Sequence, residues 1–209
     1  MLWSDLDEAT ADRAIAAEVA RFAGRGRWEW KLYSYDAPSD LAERLLAAGF
    51  VAEDEETLLV GEIAALPPAA PMPDGVRLVD VMDEAGIAAF LHVGEDVFGD
   101  HDIAFGEQLL GDIRAGRSAA VVAVVGDRPI SSGRIEFYDG TDFAGLYGGA
   151  TVADWRRRGI FRAVVAHRAG LARARGVRYL QTDASDDSRP IFLRLGFRAI
   201  ATTTPYIHD

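Results

Sequence analysis

Four of the chain's eight prolines fall between Pro67 and Pro73, in the stretch AALPPAAPMPDG, and neither a helix interior nor a central strand tolerates that density. Proline fixes φ and carries no N–H, so the stretch reads as a stiff, extended connector. The 209 residues therefore divide into an N-terminal accessory unit (1–66), a linker (67–75) and a C-terminal unit (76–209). With 49% hydrophobic residues the chain can bury a sizeable core, and disorder is excluded.

Before the linker, Ile15, Val19 and Phe22 recur at helical spacing. WEWKLYSY reads as a strand, Ser39 and Gly49 bracket a helix, and Phe50–Glu53 and Thr57–Ile63 read as strands. After the linker the pattern predicts a strand (76–81), helices (83–98 and 102–114), and a three-stranded meander turning at Gly126-Asp127-Arg128-Pro129 and Asp139-Gly140. A strand at 141–152 then feeds a helix from Gly159 to Arg175, closed by Gly176. A strand (177–182), a short helix (188–195) closed by Gly196 and a last strand (197–204) complete a mixed α/β order. KLYSYDAPSDLAERLLAAGF and YLQTDASDDSRPIFLRLGF share one plan: strand, Asp-Ala turn, short helix, Gly-Phe, strand. Chance and a partial internal duplication both account for that match.

There is no cysteine, so disulfides, thiolate metal sites and a cysteine nucleophile are excluded. The longest apolar run, Ala119–Val125, is far short of the roughly 20 residues of a membrane helix. The acidic start MLWSDLDEAT is unlike a signal peptide, and the expectation is a soluble, cytoplasmic protein without a membrane partner. Net charge is −11, which argues against a nucleic-acid partner. The charge is uneven: residues 1–150 hold 28 acids and 11 bases (−17), residues 151–209 hold 5 acids and 11 bases (+6). The single lysine, Lys31, is followed by Leu32, so no phosphate loop of the GxxxxGK[ST] kind exists. Asp100-His101-Asp102 are loop neighbours without further ligands, HExxH and GxSxG are missing, and no metal is expected.

Chemistry concentrates in Leu146–Phe161, LYGGATVADWRRRGIF. A strand ending at Val152 runs into three arginines and then Gly159 at a helix start, where first-turn N–H groups lack intrahelical partners and sit at the positive dipole end. Such a turn cradles phosphate, and Arg156, Arg157, Arg158 and Arg162 add forked donors. A capped surface helix with a basic first turn is the plainer reading of the same residues.

The pattern Arg156-x-x-Gly159-Ile160-Phe161, followed by SRPIFLRLGF (188–197), resembles the GNAT superfamily of CoA-dependent N-acyltransferases. The element order from Val76 to Thr204, about two-thirds of the chain, agrees with it. The resemblance implies the GNAT fold, a central, mostly antiparallel sheet flanked by helices. It implies acetyl-CoA as co-substrate, with its pyrophosphate on Arg157, Arg158, Gly159, Ile160, Phe161 and Arg162. Its pantetheine arm would lie along Ala150, Thr151 and Val152, beside a bulge that Gly148-Gly149 would tolerate, with Ser185 and Ser188 nearby. Three positions depart from the family's pattern. Phe161 stands where Gly or Ala is usual, Ser185 where Asn is frequent, and Phe192 where a Tyr often protonates the departing thiolate.

The implied reaction is direct transfer of an acetyl group to a primary amine of a small molecule or peptide, and it needs a base. Strand alternation sets Glu136 opposite Ile135 and Phe137, which makes it the candidate base ahead of Asp142. Tyr147 and Tyr206 are the candidate acids, and an exposed strand glutamate is equally a solvated one. Phe90, His92, Glu95, Asp96, Phe98, Asp100, His101 and Asp102 would form an acidic acceptor wall. Two other readings stand beside the enzyme: a non-catalytic acyl-CoA binder or sensor, and an interaction module. A homodimer is also open. The family usually has two strands after Gly-Phe, yet only a dozen residues follow Phe197. Thr57–Ile63, of this chain or of a second copy, is expected to fill the vacant place in the sheet. A chain lacking residues 1–66 is then expected to be insoluble on expression, and a stable, soluble truncation would refute this.

Overall fold

The computed structural model describes residues 5–68, 71–99 and 102–209. Along the chain run α1 (Ala11–Phe22), β1 (Trp28–Tyr33), α2 (Leu41–Ala47), β2 (Val51–Ala52) and β3 (Glu56–Glu62). Then come β4 (Val76–Asp80), α3 (Glu84–Phe98), α4 (Ile103–Arg114), β5 (Ser118–Val125), β6 (Arg128–Phe137) and β7 (Phe143–Thr151). The last elements are α5 (Ile160–Ala174), β8 (Tyr179–Ala184), α6 (Arg189–Arg194) and β9 (Arg198–His208). Asp83 and Asp102 cap α3 and α4 by accepting from the N–H groups of Gly86 and Phe105. Asp100 and His101, considered above for metal and for the acceptor wall, lie outside the described residues.

Packing divides the chain into two compact units at places other than the prolines. One joins the residues up to Leu59 to Asp183–Leu193 and Arg198–Asp209; the other holds Val60–Thr182 and Arg194–Phe197. The cause is β9, which runs antiparallel along β1 from Trp28↔His208 to Tyr33↔Thr203 and also pairs with β2. β9 extends to His208, four residues past the expected end, because β1 and β2 give its backbone partners that far.

The core of the first unit gathers Ala11, Ile15, Trp30, Leu41, Leu45, Phe50 and Tyr206. Tyr206, weighed above as an acid, is thus a core residue, set there by the alternation of β9. Lys31 stands among carboxylates: Nζ lies 2.9 Å from Asp183, 3.0 Å from Glu56 and 3.8 Å from Glu29. Burial opposes its charge, but Asp183 and the two glutamates outweigh burial and hold the ammonium protonated well above the ordinary lysine range.

In the second unit, β4, β5, β6 and β7 pair antiparallel in succession and β8 joins β7 in parallel. The Val60–Glu62 end of β3 is the next neighbour of β8 in strand order. Ile63 N–H donates to the Arg178 carbonyl and Arg173 Nη2 to the Ile63 carbonyl, each at 3.0 Å. This segment of the same chain thus takes the place expected of Thr57–Ile63. Ala120, Val122 and Val124 of β5 pack with Phe90, Leu91, Leu109 and Leu110 of α3 and α4. The alternate residues Val121 and Ala123 pack with Ile160 and Val164 of α5, so helices cover both faces. The turn between β5 and β6 is only Gly126-Asp127; Arg128 and Pro129 are already strand, and Pro129 is accommodated by a register slip opposite Val124. Leu66, Pro67, Pro68 and Met72 line a cleft of about 340 Å³ against Ala163, Ala166, His167 and Arg173 of α5.

Replacing Lys31 by Met removes the only cation that pairs with Glu29, Glu56 and Asp183 among the described residues and should cost about 3–5 kcal/mol in urea unfolding at pH 7. Lys31 titrates higher folded than unfolded, so its contribution is whole below its ordinary value of 10.5 and is lost only in stronger alkali. An unchanged midpoint in the variant would contradict this account.

Candidate functional site

The site is created where β7 parts from its neighbours. Its ladder with β8 covers only Phe143↔Tyr179, Ala144↔Leu180 and Gly145↔Gln181, after which Thr182 Oγ1 donates to the Leu146 carbonyl at 3.0 Å. β7 itself runs on to Thr151. On its other side Arg134 faces Tyr147 and Ser132 faces Ala150, so Gly148 and Gly149 together oppose Gly133. This is a β-bulge, and Gly148 adopts the left-handed φ of 58° that it requires. Val152 N–H is spent on the Ile130 carbonyl, so strand alternation turns the peptide groups of Thr151 to the opposite edge, toward the gap. There the Thr151 carbonyl accepts from Arg156 Nε at 3.0 Å, while its N–H faces the opening.

A 3₁₀ turn, Ala153–Trp155, leads from β7 to α5. Arg157 then takes φ 62° and Gly159 φ 82°. A left-handed arginine costs about 1–2 kcal/mol, and such residues gather at ligand-holding turns. The turn delivers the first-turn N–H groups of α5, at Ile160, Phe161 and Arg162, to one spot at the positive end of the helix. Arg157, Arg158 and Arg162 are exposed around it, Arg158 lying 4.8 Å above the Trp155 ring. A phosphate group fits these donors. The residues proposed from sequence between Ala150 and Arg162 are therefore together, and Phe161 adds something unforeseen. Its ring lies against Gly149, where a Cβ would stand only 2.8 Å from it. Ser185 and Ser188 belong to the first unit, where Ser188 N–H donates to the Ser185 carbonyl at 3.1 Å in the turn into α6.

Glu136 and Tyr147 share the sheet face that α3 and α4 cover, and one cation serves both. Arg134 pairs with Glu136 and lies 4.7 Å over the Tyr147 ring and 5.2 Å over Phe105. Tyr147 Oη is 2.7 Å from Tyr138 Oη. Burial first, and Tyr147 second, raise the Tyr138 phenol far above its ordinary value, so it remains a neutral hydrogen-bonding partner. Tyr138 and Arg134 were not singled out from sequence, because only the β6–β7 register reveals them as neighbours of Tyr147.

Arg168 was also missed. It is 1% exposed, in the buried seam of α5 with Ile160, Val164 and Ala172. Its Nη1 donates to the carbonyls of Arg134 (2.8 Å) and Tyr147 (3.3 Å), one on each strand beside the bulge. Burial first, and positive Arg134 second, bring its pKa down to about 9. The available signal was a charged residue at the i+4 and i+8 register of an apolar stripe.

Neither the protein-family models nor the curated proteins contain a match to this sequence. Solved structures do match its fold. A GCN5-related N-acetyltransferase from Kribbella flavida has a TM-score of 0.72 at 20% identity, over 96% of this chain and 76% of that one. A functionally unknown conserved protein from Staphylococcus epidermidis gives 0.66 at 17%, over 94% and 79%. A GCN5-related N-acetyltransferase from Sphaerobacter thermophilus gives 0.65 at 12%, over 96% and 70%. The chain has the fold of the GCN5-related N-acetyltransferases, a mixed α/β fold with a large, mostly antiparallel sheet flanked by helices.

At Gly133 an added methyl would stand 2.7 Å from Arg168 Cζ. Gly133→Ala should destabilise by about 1–3 kcal/mol in thermal or urea unfolding. Gly111→Ala, in α4 where an added methyl meets nothing, should be neutral or stabilising. Equal effects at the two positions would rule out the close fit around Arg168.

Proposed function

We propose that the protein is a CoA-dependent N-acyltransferase, transferring an acyl group, in the simplest case acetyl from acetyl-CoA, to a primary amine of a small molecule or peptide. The observation that carries this reading is the pairing of a splayed, bulged β7 with the left-handed Arg157–Gly159 turn that opens α5. First-turn N–H groups, with Arg157, Arg158 and Arg162, would hold the pyrophosphate, and Thr151 N–H would hold the pantetheine arm in the gap beside β8. The amine nitrogen attacks the thioester carbon as the carbon–sulfur bond breaks, and the thiolate leaves with a proton. Bringing amine and thioester together supplies much of the acceleration. Glu136 would take the amine proton through water, with Arg134 fixing the carboxylate's position at some cost in basicity. Tyr147, hydrogen-bonded to Tyr138, would return a proton to the thiolate.

A second reading, a non-catalytic acyl-CoA binder, draws on two observations. Arg134 already engages Glu136, and Phe192 is a buried side chain without a phenol. Turnover on a panel of amines, read as free thiol, separates the two readings.

Calorimetric titration with acetyl-CoA and desulfo-CoA tests the reading common to both. Wild type is expected to bind each ligand. Gly159→Glu, which sets a carboxylate where the pyrophosphate would lie, is expected to abolish binding with its circular dichroism unchanged. Wild type that binds neither ligand would refute the assignment.

A further inference from the structure

The mechanism above leaves one buried charge unused. Arg168 makes three hydrogen bonds, Nε to Val164 and Nη1 to Arg134 and Tyr147, all to main-chain carbonyls. Nη2 is buried and has no partner among the described residues. No carboxylate pairs with the guanidinium among them either. Leaving two N–H groups and a full charge without a partner in the interior is expensive, and the surroundings are shaped for it. Gly133 is needed to admit the guanidinium, and Nη2 lies 3.8 Å from where a Cβ on Gly149 would stand. Phe161 covers the same position, 2.8 Å from that Cβ. Nη2 therefore borders β7 at the bulge, beyond the last β8 pair, on the sheet face that α5 covers, the face of the phosphate-holding turn. Arg134, Glu136 and Tyr147 occupy the other face. The idle donors thus lie on the donor side of the gap, away from the amine.

We propose that Arg168 Nη2 receives a carboxylate at the far end of the donor's acyl chain, so that the preferred donors are CoA monothioesters of short dicarboxylic acids rather than acetyl-CoA. This rests on the CoA-thioester reading above. A thioester carbonyl would satisfy one N–H and leave the charge uncompensated; a carboxylate forks onto the donors and neutralises it. Phe161, half-buried in the first turn of α5, swings off Gly149 to admit the chain.

The test is calorimetry on the full chain with acetyl-CoA, succinyl-CoA and the monoamide of succinyl-CoA, which keeps the shape and loses the charge. Succinyl-CoA is expected to bind wild type at least about tenfold more tightly than the other two, the effect of one charged hydrogen bond. Arg168→Gln also loses the hydrogen bonds to the Arg134 and Tyr147 carbonyls, so the quantity read is the ratio of succinyl-CoA to acetyl-CoA affinity, which should fall to about one. Should that variant not fold, the wild-type comparison of acid with amide decides alone. Equal affinity for acid and amide overturns the proposal while leaving the acyltransferase reading intact. Binding of none of the three overturns both.

Discussion

A β-bulge leaves main-chain groups without their ladder partners, and in a sheet covered on both faces water is not there to take them. Arg168 resolves this at the β6–β7 step by donating from one nitrogen to a carbonyl on each strand. Much else follows from that placement. Gly133 has to be small, Gly148 has to be left-handed, and β7 emerges from the bulge displaced from β8 with the Thr151 edge open. Gly133, Gly148, Gly149 and the arginine form one unit of geometry although 35 positions separate Gly133 from Arg168.

That dependence explains what could be read from the chain and what could not. Punctuation made the elements legible: Asp83 and Asp102 at helix starts, Asp139-Gly140 between strands, Gly159 and Gly176 around α5. The repeated Gly-Phe step was legible too, and its two copies share a backbone, Gly49 at φ 94° and Gly196 at φ 93°, each followed by a phenylalanine 3% exposed. Alternation alone set Glu136 on the face opposite buried Ile135. Pairings between distant strands were not legible. Tyr206 looked available as a phenol until β1 and β9 were seen to pair, and Arg134 and Tyr138 looked like ordinary strand residues until the bulge set them beside Tyr147. The linker prolines lie outside helices and strands, and compactness does not divide there, because packing follows strand partners.

The positive excess of the last 59 residues looked like a general attraction for anions, yet most of those arginines have specific partners. Arg156 is bound to the Thr151 carbonyl, Arg173 to Ile63, Arg175 to Gly116 and Arg178 to Glu62. Arg157 and Arg162 form no ion pair among the described residues, and both stand at the turn into α5. Arg194 and Arg198, also exposed, stand in α6 and β9, so the turn into α5 holds part of the charge left to a ligand rather than all of it.

The pairing of β1 with β9 also bears on how the chain is made. β1 and its antiparallel partner β9 stand 170 to 180 positions apart, from Tyr33↔Thr203 to Trp28↔His208. At about 5–20 residues per second of synthesis, Trp28–Tyr33 waits roughly ten to thirty seconds for the strand that covers it. During that interval Trp30, fully enclosed in the finished molecule, lacks its Tyr206 neighbour, and an apolar strand stands with an unpaired edge. The nascent first unit is therefore the part of this protein with most to gain from a chaperone, and the second unit, whose strands β4 to β7 pair in order of synthesis, is the part with least.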